Sequence, residues 1–232
     1  MNASRSRCDE PMTESVLSKN PCIVGLYAVA PDLEDTDLLA RLVGAALEGG
    51  AMLVQYRNKV ASDSLRAEQA ARLAVLCAKH GRPLIINDHV ELALSIRAAG
   101  LHVGTDDIGD LEALCALRRR LGSSRILGVS CYCSLDRACE AAVACADYAA
   151  FGSIFPSTTK PGAPPAALDV FTEARAIGIA LVGIGGITHG NVAALINAGA
   201  DAAAVISDLF AIHDEASVLA RARALTAVFK TR

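Results

Sequence analysis

Eight times along the chain a short β-rich apolar run is followed by an Ala/Leu-rich segment with helical spacing, and few architectures accommodate that recurrence. The pattern predicts strands at Ile23–Val29, Ala51–Tyr56, Pro83–Ile86, Leu101–Val103, Arg125–Val129, Tyr148–Phe151, Ala180–Ile184 and Ala203–Ile206. Successive strand starts lie 18 to 32 residues apart, too far for hairpins and enough for a crossover helix each time. Parallel pairing follows. The intervening helices are predicted at Leu38–Glu48, Ser64–His80, Val90–Ala98, Asp110–Leu121, Leu135–Val143, Ala167–Ala176, Asn191–Asn197 and Glu215–Phe229, with Gly49, Gly81, Gly100, Gly122 and Gly178 as C-caps.

Eight βα units in 232 residues point to a single (β/α)8 TIM barrel over residues 21–231, preceded by a flexible polar tail over residues 1–20. The competing doubly wound sheet lacks a Gly-x-Gly-x-x-Gly turn after its first strand and leaves two long edges unprotected. With a hydrophobic fraction of 53% the chain supplies its own core, and with no Trp and 4% aromatics that core is built from aliphatic residues. The eight cysteines are scattered, which argues for free thiols in a cytoplasmic protein over a disulfide framework. Cys131-x-Cys133 with Cys139 and Cys145 lacks the paired spacing of a structural zinc site. A net charge of −3 gives no general attraction to nucleic acid or anionic membrane, and no apolar run is long enough to span a bilayer.

In such a barrel the site lies where the strands end, and the polar residues fall there. Gln55, Arg57 and Lys59 alternate after the second strand, so an extended segment projects them from one face toward a single anion; two cations suit a diphosphate. Lys160, alone an ordinary surface lysine, adds a third cation on a Ser/Thr-rich loop after the sixth strand. Asp88 and Asp107 follow neighbouring strands as hard oxygen ligands of the kind Mg2+ takes beside phosphates. Asp106 and Asp110 are as acidic and as near, and helix N-terminal stabilisation competes for all four. Gly183-Ile184-Gly185-Gly186 and Val205-Ile206-Ser207 end the last two strands, where barrels often hold a phosphate on bare backbone N–H groups. Two anion regions imply two phosphorylated substrates. His102, within a strand, reads as a hydrogen-bonded barrel residue rather than a catalytic base, and no Ser-His-Asp order emerges.

Taken in order, Gln55-Tyr56-Arg57-Asn58-Lys59, Ile86-Asn87-Asp88, Leu101-His102-Val103-Gly104 with Asp107, Gly128-Val129-Ser130, Pro156-Ser157-Thr158-Thr159-Lys160, Gly183 to Thr188 and Val205-Ile206-Ser207 resemble the thiamine-phosphate synthase family along nearly the whole chain. The resemblance implies a transferase joining 4-amino-5-hydroxymethyl-2-methylpyrimidine diphosphate to 4-methyl-5-(2-hydroxyethyl)thiazole phosphate, with one Mg2+ per site. It implies pyrimidine-diphosphate contacts from Gln55, Tyr56, Arg57, Asn58, Lys59, Asn87, Ser130 and Lys160, with Arg57, Lys59, Ser130 and Lys160 the catalytic set. Metal ligation falls to Asp88 and Asp107, and the thiazole phosphate to Ser157, Thr158, Thr159, Gly186, Ile206 and Ser207. The family chemistry is dissociative, with the pyrimidine C–O bond ionising before the thiazole nitrogen captures the cation. The related thiazole tautomerase and a non-catalytic precursor-binding barrel are the alternatives; retention of Arg57, Lys59, Asn87, Asp88, Asp107 and Lys160 argues against the first. A homodimer is the expected assembly.

Overall fold

Eight parallel strands close on themselves in the computed structural model, which describes residues 23–104, 108–156 and 166–230. They are β1 (Gly25–Val29), β2 (Leu53–Tyr56), β3 (Leu84–Asn87), β4 (Gly100–Val103), β5 (Ile126–Tyr132), β6 (Tyr148–Phe151), β7 (Ala180–Ile184) and β8 (Ala202–Val205). Each pairs with the next in chain order, and β8 returns to β1 with Tyr27 opposite Ala204. The helices are α1 (Thr36–Glu48), α2 (Asp63–Lys79), α3 (Val90–Ser95), α4 (Leu111–Leu121), α5 (Leu135–Val143), α6 (Asp169–Ala174), α7 (Val192–Asn197), α8 (Ser207–Phe210) and α9 (Glu215–Phe229).

All eight strands stand within a few residues of where the hydrophobic runs predict them, because a strand buried on both faces reads as a continuous apolar segment. The five longest helices start at Asp35, Ser62, Asp110, Ser134 and Asp214, whose side chains each accept the N–H three residues on. Gly49 caps α1 as expected, in a right-handed conformation with φ −75° and its N–H on Ala45 O. One expected cap fails. Gly100 opens β4 instead of closing α3, and a Cβ there would lie 2.5 Å from the Ile126 carbonyl oxygen. The short helix α8 was not anticipated, since four residues carry no periodic signal.

Two apolar cores result. The larger lies between strands and helices and includes Leu26, Val54, Ile86, Leu101, Val129 and Phe151. The smaller fills the barrel with Tyr27, Leu53, Ile85, Ile126, Tyr148 and Val182 among its members. Its two large rings fit because Tyr27 faces Ala204 and Tyr148 lies between Gly128 and Ala180 in the strand register. At the opposite end from the polar loops, Asp147 accepts the Leu127 N–H at 2.7 Å and pairs with Arg118 at 2.6 Å. Asp201 repeats the device with the Leu181 N–H and Arg175. Among the described residues no helix is long and apolar enough to cross a membrane.

Candidate active site

The site is built where β2, β3, β5, β7 and β8 end. Alternation along β2 sends Gln55 into the barrel, where its Nε2 donates to the Tyr27 hydroxyl at 3.0 Å, and sends Tyr56 outward into the helix layer. Tyr56 donates there to Gln69 Oε1 at 2.9 Å. Asn58 is committed as well: its Nδ2 donates to Leu33 O and Gln69 Oε1, and its Oδ1 accepts the Val60 and Ala61 N–H groups. The side chains of Tyr56 and Asn58 thus bond to the helix layer and the neighbouring loops and shape the loop that carries the cations. The fully buried Gln69 completes this brace by donating to Leu33 O. Nothing in the sequence singled it out, because one glutamine on an amphipathic helix looks like any other.

Arg57 is the half-buried cation of the pair and Lys59 the exposed one. Asp32, on the loop after β1, holds them together: its Oδ2 lies 3.8 Å from the Arg57 guanidinium and its Oδ1 accepts the Lys59 N–H at 3.2 Å. This aspartate was missed, being 25 residues from Arg57 and 27 from Lys59.

At the end of β3, Asp88 adopts a left-handed φ of 61°, unusual for a residue with a side chain, and its N–H donates to the His102 carbonyl at 2.8 Å. Its Oδ1 accepts the Gly104 N–H at 3.3 Å, and Asn87 Nδ2 donates to its Oδ2. The carboxylate is thereby fixed at the seam of β3 and β4. Asp110, the rival acid, instead caps α4 by accepting the Ala113 N–H at 2.9 Å. Asp107, Asp106 and Thr105 lie outside the described residues, as do Ser157, Thr158, Thr159 and Lys160. Among the described residues no cluster of three or more His, Cys, Asp or Glu side chains forms a metal cage. A single anchored carboxylate beside cations fits Mg2+, which keeps water and substrate phosphate for the rest of its shell.

Ser130 accompanies β5 into the same mouth. Its Oγ meets His102 Nε2 at 2.9 Å, and His102 Nδ1 meets the Tyr148 hydroxyl at 2.9 Å. Burial lowers the His102 pKa to about 4, so the ring is neutral, and burial raises those of Tyr27 and Tyr148. Cys131 is no rival nucleophile, since burial pushes its thiol up to about 12. All six described cysteines are free thiols.

Across the mouth, Gly185 and Gly186 take φ values of 100° and 63°. A Cβ on Gly186 would sit 2.4 Å from the Pro156 carbonyl oxygen, so only glycine lets the β6 loop pass this closely. That loop is tied to β7 by Ile154 N–H to Ile184 O and Phe155 N–H to Gly185 O, each 3.0 Å. Asn191 holds the glycine turn, donating to Gly186 O and accepting the Thr188 N–H. Ile206 and Ser207 stand at the start of α8 beside it, where β8 ends. A groove of the described surface lies elsewhere, between α1, α2 and α9; Arg41, Arg72, Asp37 and Glu215 give it mixed charge and no anion preference.

Comparison with known proteins agrees with the eight-stranded barrel. Residues 26–209 match the family model described as thiamine monophosphate synthase. The chain is 48% identical over 209 residues to the thiamine-phosphate synthase of Methylobacillus flagellatus, covering 90% of this chain and 97% of that one. Against the thiamine-phosphate synthase of Chromobacterium violaceum it is 49% identical, with 91% and 99% covered. The solved thiamine phosphate pyrophosphorylase of Pyrococcus furiosus superposes with a TM-score of 0.77 at 28% identity, over 90% of this chain and 97% of that one. With an anchored carboxylate, two cations and a glycine turn at one end of an eight-stranded barrel, and with relatives of this similarity along nearly all its length, the chain belongs to the thiamine monophosphate synthase family of enzymes.

Proposed function

We propose that the enzyme condenses 4-amino-5-hydroxymethyl-2-methylpyrimidine diphosphate with 4-methyl-5-(2-hydroxyethyl)thiazole phosphate, releasing thiamine phosphate and diphosphate. The observation that carries this reading is the meeting, at one barrel mouth, of the Arg57–Lys59 edge with Asp88 on one side and the Gly185–Gly186 turn on the other.

Arg57 and Lys59 bind the diphosphate and take up the charge that accumulates on it as the pyrimidine C–O bond breaks. Lys160 is assigned to the same task, and Ser130 donates from the barrel side. Asn87 contacts the pyrimidine diphosphate, and Asp88, with Asp107, would hold Mg2+, whose charge when bound neutralises the diphosphate oxygens. Gln55, buried against Tyr27, faces the pyrimidine end. The N–H groups around Gly186, Ile206 and Ser207, with the hydroxyls of Ser157, Thr158 and Thr159, hold the thiazole by its phosphate and aim its nitrogen at the pyrimidine carbon. Such holding turns a bimolecular encounter into an oriented one. No protein nucleophile is needed. Cytoplasmic location and a homodimer belong to the same proposal, while the expected tail over residues 1–20 lies outside the described residues; size-exclusion chromatography with light scattering tests the dimer.

Incubating the protein with both precursors and Mg2+, and weighing the product by mass spectrometry, tests the activity. Thiamine phosphate formed only when both precursors are present supports it. An isomerised thiazole phosphate with no coupled product would favour the tautomerase, and tight precursor binding without turnover a regulatory barrel.

A further inference from the structure

A polar chain crosses the otherwise apolar barrel interior, from Gln55 on β2 through Tyr27 on β1, Tyr148 on β6 and His102 on β4 to Ser130 on β5. Its links measure 3.0, 2.8, 2.9 and 2.9 Å. Four of its members are at least nine-tenths buried, with Gln55 5%, Tyr27 1%, Tyr148 0% and His102 8% exposed. The rings are also locked against one another. Tyr27 meets Tyr148 edge-on at 84°, and His102 stacks on Tyr148 at 5.6 Å and 15°. Five polar groups inside a barrel are costly unless each is satisfied, and satisfaction here imposes an order on the protons.

The Gln55 amide nitrogen only donates, so the Tyr27 oxygen accepts from it; the arrangement that leaves no buried hydroxyl hydrogen of the chain unpaired then turns the Tyr27 hydrogen to Tyr148. Tyr148, accepting from Tyr27, gives its own hydrogen to His102 Nδ1. His102 then carries its proton on Nε2 and donates to Ser130 Oγ. Ser130, accepting from within the barrel, has its hydroxyl hydrogen free to point outward; it makes no other side-chain hydrogen bond among the described residues. We infer that Gln55, Tyr27, Tyr148 and His102 are positioning residues that present the Ser130 hydroxyl as a hydrogen-bond donor to the departing diphosphate. The catalytic part of this inference rests on the proposed synthase reaction. No proton leaves the chain and no bond to the protein forms. Each link fixes the orientation of the next, and because every hydroxyl both accepts and donates, the links polarise one another.

Two measurements test it. The first needs no turnover: 15N spectra of histidine-labelled protein report the tautomer of His102, the buried member of five histidines. The Nε2–H form with Nδ1 accepting is expected, and the Nδ1–H form overturns the assigned direction. The second is a double-mutant cycle on kcat with Tyr148→Phe, which keeps the ring and removes one hydroxyl, and Ser130→Ala. Tyr148→Phe should lower kcat about fivefold to tenfold, the scale of one lost hydrogen bond, with KM for both substrates changed less than about twofold. In the Ser130→Ala background the same substitution should change kcat by less than about twofold, since the residue it acts through is gone. His102→Gln, which keeps a donor near the Nε2 position, should retain more kcat than His102→Leu. Multiplying effects in the cycle, or equal losses in the two His102 variants, would show a merely structural chain. If the wild-type protein forms no thiamine phosphate, the synthase reading fails on its own, and the tautomer still decides the direction of the chain.

Discussion

Gly128 lies where the interior leaves room for one ring. A Cβ built on it would stand 1.9 Å from Tyr148 Cζ and 2.3 Å from both Cε1 and the hydroxyl oxygen. Carbon atoms in contact rest at about 3.5–4.0 Å, so in Gly128→Ala the tyrosine ring must retreat by about 1.5 Å or more. Retreat is blocked by Tyr27 and His102, against which the ring is packed and hydrogen bonded. Overpacking of this kind costs about 1–3 kcal/mol, and stranding a buried hydroxyl adds about 1–3 kcal/mol. We expect Gly128→Ala to lose about 3–5 kcal/mol in urea unfolding monitored by circular dichroism. The cause is checked in a second background. Leucine at position 148 lacks the two ring carbons and the hydroxyl oxygen that the new Cβ meets, so Gly128→Ala on top of Tyr148→Leu should cost less than about 1 kcal/mol. A loss below about 1 kcal/mol in the single variant, or an equal loss in both backgrounds, would refute this account of the interior.

Three further outcomes follow from the same geometry. Arg57→Ala should lower kcat/KM for the pyrimidine diphosphate by about a hundredfold or more, and Arg57→Lys should recover only part of it, because an ammonium cannot reproduce the planar fork; steady-state kinetics read both. Gly186→Ala, which places a Cβ 2.4 Å from the Pro156 carbonyl oxygen, should raise KM for the thiazole phosphate about tenfold while leaving that for the diphosphate substrate within about twofold. The His102 pKa, lowered from 6.5 to about 4 by burial, makes the unfolded chain bind more protons than the folded one between those values. Stability from this group is therefore full above about pH 6.5 and falls as pH drops toward 4, by about 3 kcal/mol in all. Urea midpoints at pH 7 and pH 4.5 should show this slope, and it should be absent in His102→Gln.

The barrel was legible because burial on both faces leaves each strand as an apolar run and each crossover as a helix-length interval. The cationic edge was legible too, since Arg57 and Lys59 lie in one short segment. Alternation along β2 places Tyr56 opposite Gln55, and its buried bond to Gln69 follows that alternation. What stayed hidden depends on register. Tyr27 and Tyr148 are 121 residues apart and meet only because the sheet closes. Their pairing needs small residues at Ala204 and Gly128 on the neighbouring strands, positions whose meaning appears only after pairing is known. Asp32 and Gln69 were missed for a similar reason: each acts on a loop from a different βα unit, and neither carries a local motif.

The most direct test is a 31P NMR time course with both precursors and Mg2+ present. The account predicts that the two substrate signals decline together while thiamine phosphate and free diphosphate grow in equal amounts, and that omitting the thiazole phosphate abolishes thiamine phosphate. Diphosphate released without thiamine phosphate when both precursors are present, or substrates unchanged in the presence of folded protein, would contradict it.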